Sequence, residues 1–144
     1  LYKTNYMYTR EVTLQEAQHF YEASVKCLQE GSPIKTPIAK TLTKLEPVLG
    51  EASKTLRKQL AEVVDKYDEE KKEPIYKEGK TLEDYMKVVE ESSSNTISIE
   101  IYTVKPTESL IFPNGTRMRL IDYLEKGVNI PAGTALFLID NYIK

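Results

Sequence analysis

Residues 36–72, TPIAKTLTKLEPVLGEASKTLRKQLAEVVDKYDEEKK, decide how the rest of the chain is read. Apolar or small side chains recur at Ile38, Leu42, Leu45, Leu49, Ala52, Leu56, Leu60, Val63 and Tyr67, which cover 29 residues at 3.6 residues per step. That is the period of an unstrained α-helix, and the stripe drifts off a heptad after Leu56. The pattern therefore predicts one long helix packed on its own domain, not a coiled-coil seam.

Thr36 stands where an N-cap is expected, with Pro37 in the first turn, where its missing N–H costs nothing. Pro47 lies inside the pattern, where it removes the bond to the Thr43 carbonyl at a cost of about 3 kcal/mol unless the chain bends. The stripe stays in phase across Pro47, so a kink is expected rather than a break. From Asp65 to Glu73 eight of nine residues are charged. As helix this run is an exposed end, supported by the pairs Glu62–Lys66 and Asp68–Lys72 at about 0.3 kcal/mol each, and Pro74 stops it.

Upstream, Tyr2, Thr4, Tyr6 and Tyr8 alternate with Lys3, Asn5 and Met7, the spacing of a half-buried strand over residues 2–8. Thr13-Leu14-Gln15-Glu16 is a capping box. It opens a helix with Leu14, Ala17, Tyr21, Ser24, Val25 and Leu28 on one face, closed by Gly31 and Ser32-Pro33. The short link to Thr36 makes this helix and the long one a helical hairpin.

Downstream, residues 74–77 read as a short strand. Thr81 to Asp84 forms a second capping box, ahead of an apolar face of Leu82, Tyr85, Met86 and Val89. Ile97, Ile99 and Ile101 alternate with polar residues as a clear strand. Pro113-Asn114-Gly115 marks a hairpin between Leu110–Phe112 and Thr116–Leu120, since Asn-Gly tolerates positive φ at both turn positions. Residues 120–126 could equally begin a short helix that ends at Gly127. Pro131 introduces a last amphipathic segment with Ala132, Ala135, Leu136, Ile139 and Ile143 on one face, read as a helix, although Phe137-Leu138-Ile139 would also suit a strand. The whole reads as one α+β domain over residues 1–144: a long helical hairpin packed with a small, mostly antiparallel sheet and shorter C-terminal helices.

Charge is divided rather than large. The chain of 144 residues carries a net charge of −2, but residues 24–60 hold seven basic residues against three acids, and residues 61–100 six against twelve. Two opposite-signed patches on the exposed side of the long helix are the candidate partner-binding surface: Lys40, Lys44, Lys54 and Lys58 at one end, Asp65, Asp68 and Glu69 at the other. Nucleic acid is the minority reading, because the basic set has no interleaved aromatics and the pI is near 5.6.

Catalytic and metal motifs are missing from the pattern. His19 is the only histidine, and Cys27 lies eight residues on, about 80° round the same helix, too far for a Cys–His nucleophile pair. Cys27 is expected to be a buried structural thiol in a reducing compartment. Glu62, Asp65 and Glu69 would share a helix face, but Lys66 interrupts them and solvated surface is expected. The glycines form no phosphate loop. No catalytic residue, metal or cofactor is expected, and no signal peptide or membrane span is visible. The first residue is Leu1 rather than Met, which leaves a trimmed leader open.

The order of capped helix, short turn, long Lys/Glu-rich helix ending in DKYDEEKKEP (residues 65–74), second capped helix and the strand ISIEIYTVK (residues 97–105) resembles the small uncharacterised accessory proteins of tailed bacteriophages. The likeness runs over roughly residues 12–143. It implies a non-enzymatic protein acting in the infected cytoplasm by binding a host or phage protein, with anti-defence action included. It assigns no site residue. The other readings are a structural or virion-associated subunit, pairing with a neighbouring copy through the tyrosine-rich strand or the last helix, and, third, a nucleic-acid-binding protein.

Overall fold

The structure, a computed structural model, describes residues 6–126 and 130–144. Strand β1 (Met7–Thr13) runs directly into helix α1 (Leu14–Gln29). The junction is the expected capping box: the Glu16 N–H donates to Thr13 Oγ1 at 3.1 Å, and the Glu16 carboxylate accepts the Thr13 N–H at 2.9 Å. The strand sits later than residues 2–8. Tyr2 and Thr4 fall outside the described residues, while Thr9, Val12 and Thr13 supply β-branched side chains that carry the strand on to the cap. Helix α1 buries Leu14, Ala17, Phe20, Ser24 and Cys27, and closes where Gly31 takes φ +82°.

Helix α2 spans Thr36–Leu60, with Lys35 at the N-cap and no side-chain capping bond, one residue earlier than the sequence implies. It passes through Pro47 uninterrupted. It does not reach Lys72. Beyond Leu60 the chain turns and forms a hairpin of β2 (Val64–Asp68) and β3 (Glu73–Tyr76), with Val64 opposite Tyr76 and Tyr67 opposite Pro74. Asp68 Oδ1 accepts the N–H groups of Glu70 and Lys71 at 3.0 and 3.2 Å, and Lys72 turns at φ +53°. The physical reason is competition. A helical end would have gained only weak pairs between i and i+4, whereas the hairpin buries Val63 and pins the Lys77 N–H to the Val63 carbonyl at 2.8 Å. The pairs Glu62–Lys66 and Asp68–Lys72 have no helix to form on. Past Leu60 the stripe no longer marks one helix face: Val63 is buried, while the in-phase Tyr67 is 57% exposed.

Helix α3 (Leu82–Ser94) starts at Thr81, whose N–H donates to Asp84 Oδ2 at 2.9 Å. Only half of its expected face is covered: Tyr85 and Val89 are half-buried, while Leu82 is 58% exposed and Met86 is exposed as well. Strand β4 (Thr96–Tyr102) pairs antiparallel with β1, Met7 opposite Tyr102 and Thr13 opposite Thr96. Strands β5 (Ser109–Ile111) and β6 (Arg117–Arg119) form the hairpin expected around Asn114-Gly115. Only Gly115 is left-handed there, at φ +83°; Asn114 contributes through its side chain, whose Oδ1 accepts the Thr116 N–H at 3.0 Å.

Helix α4 (Leu120–Lys126) follows, and its expected stop at Gly127 lies outside the described residues. Helix α5 (Ala132–Tyr142) buries Thr134, Ala135, Leu138 and Tyr142, a face rotated from the expected one, and Leu136 is 61% exposed. Ile143 is buried, but beyond the helix, in a parallel bridge to Val104. That bridge draws the C-terminal end to the end of β4, and with it turns Tyr142 inward and Leu136 out.

The fold is therefore α+β, with strands in three separate antiparallel ribbons rather than one sheet. The core lies where the β1–β4 ribbon (Val12, Ile99, Ile101) meets α1 (Ala17, Phe20), the first half of α2 (Ile38, Leu42, Leu45), α4 (Leu124) and α5 (Leu138, Tyr142). The second half of α2 leaves this core: Leu49, Ala52, Leu56 and Leu60 are only half-buried. Among the described residues every fully buried side-chain polar atom has a hydrogen-bond partner, and no helix is long and apolar enough to cross a membrane.

Candidate functional site

The first turns of α2 meet the end of β4 at a hollow. Its floor is apolar, with Ile34, Pro37, Val104, Leu110 and Leu120 along it, and its volume is about 250 Å³. Pockets for drug-sized ligands run to about 300–1,000 Å³, so this one has room for one or two side chains or a small fragment. Five separate stretches of the chain build it. Ser32 sets the link into α2 by accepting the Ile34 N–H and donating to the Ile34 carbonyl. Tyr6 and Tyr102–Val104 close one side, and β5 with the start of α4 the other.

Two of the aromatic rings that line it, Tyr102 and Tyr6, each carry a lysine. Lys40 Nζ stands 4.5 Å from the centroid of the Tyr102 ring, and Lys105 Nζ 4.5 Å from that of Tyr6. Such cation–π contacts are worth about 0.5–1 kcal/mol when exposed, and they park each ammonium group beside the hollow. Lys35 adds a third positive charge at the start of α2, whose first turn contains no acid. Glu108 is the one acid among the lining residues. None of Lys35, Lys40 and Lys105 forms an ion pair among the described residues. An apolar hollow with an excess of unneutralised ammonium groups favours a ligand that joins an apolar group to a carboxylate or other anion.

The residues expected to bind a partner are only partly brought together. Lys40 is half-buried and lines the hollow. Lys44, Lys54 and Lys58 continue along α2, within about 80° of one another and of Lys40 by helical spacing. They are exposed, and Lys54 Nζ lies 3.6 Å from Glu51. Asp65, Asp68 and Glu69 belong to the β2–β3 hairpin and not to α2, and the Asp68 carboxylate is engaged in the turn. Glu62, Asp65 and Glu69 consequently share no helix face, and no group of three metal-ligating side chains occurs among the described residues.

Sequence reasoning missed Tyr6, Tyr102 and Lys35 as members of a site, and Lys105 as the cation over Tyr6. The available signal was slight: prolines at 33 and 37 framing a short link, and Lys105-Pro106 ending the Ile-rich strand. His19 is exposed on α1, and Cys27 is buried, its thiol pushed up to about 11 by desolvation and, less, by the Glu30 carboxylate. Compared with protein-family models, curated proteins and solved structures, the chain matches none.

Proposed function

We propose that this chain is a non-enzymatic protein-interaction module, and that it docks a partner at the hollow between α2 and β4. The occupant is an apolar side chain, Leu or Phe in size, carried on an acidic segment of the partner. One observation carries the reading: Lys40 is held over Tyr102 at the lip of an apolar hollow, with no carboxylate neutralising it among the described residues. Lys44, Lys54 and Lys58 extend positive charge along α2 and steer the acidic segment during encounter. The likeness in layout to phage accessory proteins supports a setting in the cytoplasm of an infected cell, where capturing a host or phage protein would serve an accessory or anti-defence role.

Fluorescence anisotropy with a labelled peptide presenting Leu or Phe between acidic residues tests this. Saturable binding is expected, lost when the flanking acids become lysines and weakened at least roughly tenfold by Lys40→Glu, about 1.4 kcal/mol. Equal binding of acidic and basic peptides, or no effect of Lys40→Glu, overturns the reading.

A further inference from the structure

The outer edge of β1 is a second unpartnered feature, and its chemistry is self-complementary. Two bonds bracket the β1–β4 ribbon: the Thr103 N–H donates to the Tyr6 carbonyl at 2.9 Å, and the Leu14 N–H to the Asn95 carbonyl at 2.8 Å. In an antiparallel ladder the bonded pairs alternate, so Tyr8, Arg10 and Val12 direct their main-chain groups toward β4. Met7, Thr9 and Glu11 must direct theirs outward. Among the described residues no main-chain or side-chain group takes up those outward N–H and C=O groups. Neither proline nor bulge blunts this edge, which is seven residues long and carries one charge of each sign, Arg10 and Glu11.

We infer that two copies of this chain associate through β1, antiparallel about a two-fold axis at Thr9. In this register Met7 bonds with Glu11 of the second copy, Thr9 with Thr9, and Glu11 with Met7, each pair exchanging both its hydrogen bonds. On the face shared with the core, Tyr8 lies opposite Arg10 of the second copy, twice by symmetry, and this pair adds to contacts already made within each copy: Lys144 Nζ 5.0 Å from the Tyr8 ring centroid and Arg10 donating to Asn141 Oδ1 at 3.3 Å. On the other face the Thr9 side chains sit side by side, a favourable cross-strand pair. Neighbouring registers fail. A centre at Arg10 sets the two guanidinium groups against each other and calls on the Thr13 N–H, which already donates to Glu16. A centre at Glu11 opposes two carboxylates. Within Met7–Thr13 a centre at Tyr8 forms two bonded pairs, Met7 with Thr9 and Thr9 with Met7, against three for the centre at Thr9. The product is a sheet ordered β4–β1–β1–β4, joining two ribbons that are each only two strands wide.

Sedimentation velocity on the full chain, from micromolar to millimolar protein, should show a reversible monomer–dimer equilibrium. Thr9→Pro removes both central bonds, one per copy, while leaving the pairing with β4 intact, and should weaken dimerisation at least roughly tenfold. Thr9→Cys should crosslink to itself on mild oxidation, because a bonded antiparallel pair places the two Cα atoms about 5.5 Å apart. Glu11→Cys should not crosslink, whereas Met7→Cys combined with Glu11→Cys should. A wild-type chain that stays monomeric at millimolar concentration overturns the proposal. So does a dimer in which Thr9→Cys fails to crosslink, whether or not Thr9→Pro folds. Thr9 does not line the hollow at α2, so the peptide measurement and this one fail independently.

Discussion

The backbone N–H of Tyr102 donates to the hydroxyl of Thr41 at 2.9 Å, across 61 residues of chain, while that same hydroxyl donates to the Pro37 carbonyl at 2.8 Å. One fully buried side chain thus fastens α2 to the outward edge of β4, the edge that would otherwise leave a strand N–H unsatisfied. Thr41 follows Lys40 in the chain and both engage Tyr102, so this wall of the hollow is tied to the core through Thr41. Thr41→Val keeps the shape and deletes both bonds, and is expected to cost about 1–3 kcal/mol in urea unfolding. Thr41→Ser, which restores the hydroxyl, should recover most of that loss.

Charge reversal separates steering from docking. Lys54→Glu with Lys58→Glu lies away from the hollow on an exposed face of α2. The pair should slow capture of an acidic peptide several-fold and flatten its salt dependence while leaving the dissociation rate near wild type. Stopped-flow measurement at two ionic strengths reads both rates. A change confined to the dissociation rate would place these lysines in direct contact instead.

Acid should loosen the two capped helices first. Glu16 and Asp84 are both held below the usual carboxylate range, chiefly by the backbone N–H groups of Thr13 and Thr81. A carboxylate with a folded pKa below its unfolded one stabilises the fold above the unfolded value, near pH 4, and the stabilisation disappears as pH falls through the folded value. Unfolding free energy should therefore decline below about pH 4.5, and Glu16→Gln should make that decline shallower. Parallel acid dependence in wild type and Glu16→Gln would show that the cap makes no contribution.

Cys27 should behave as an inert thiol. Buried against the core, with its thiol pushed up to about 11, it holds far less thiolate than free cysteine at pH 8. Reaction with an aromatic disulfide reagent should be slow in the native protein, accelerated at least roughly a hundredfold by denaturing urea, and set by the opening equilibrium between these limits. Rapid labelling without denaturant would contradict its burial.

The buried pair Ser24–Tyr142 shows a contact of another kind. The two hydroxyl oxygens lie 2.6 Å apart, and desolvation holds the Tyr142 phenol well above the ordinary tyrosine value, so it is neutral at any physiological pH. Tyr142→Phe should cost about 1 kcal/mol, and a cycle with Ser24→Ala should return a coupling of similar size, because both side chains are fully enclosed. An additive cycle would remove the bond from the account of the core.

Much of this molecule is written in short-range chemistry. The Thr13–Glu16 box, the Asp84 cap at Thr81, the left-handed Gly31 and Gly115, and the alternating isoleucines of β4 each depend on residues within a few positions, and each was legible in the sequence. The α+β class follows from them. What only the tertiary structure decided is where local options were nearly balanced or where distant parts had to meet. Residues 65–73 could continue a helix or turn back, and burial of Val63 with pairing of Val64 to Tyr76 selects the hairpin. The inward face of α5 is set by the bridge from Ile143 to Val104, which no helical pattern encodes. The hollow joins Lys40, Tyr102 and Leu110, from three elements, with Tyr6 just before β1, residues with no shared periodicity. Local propensity acts through a few bonded neighbours, whereas a site of this kind exists only after the core has brought its walls together.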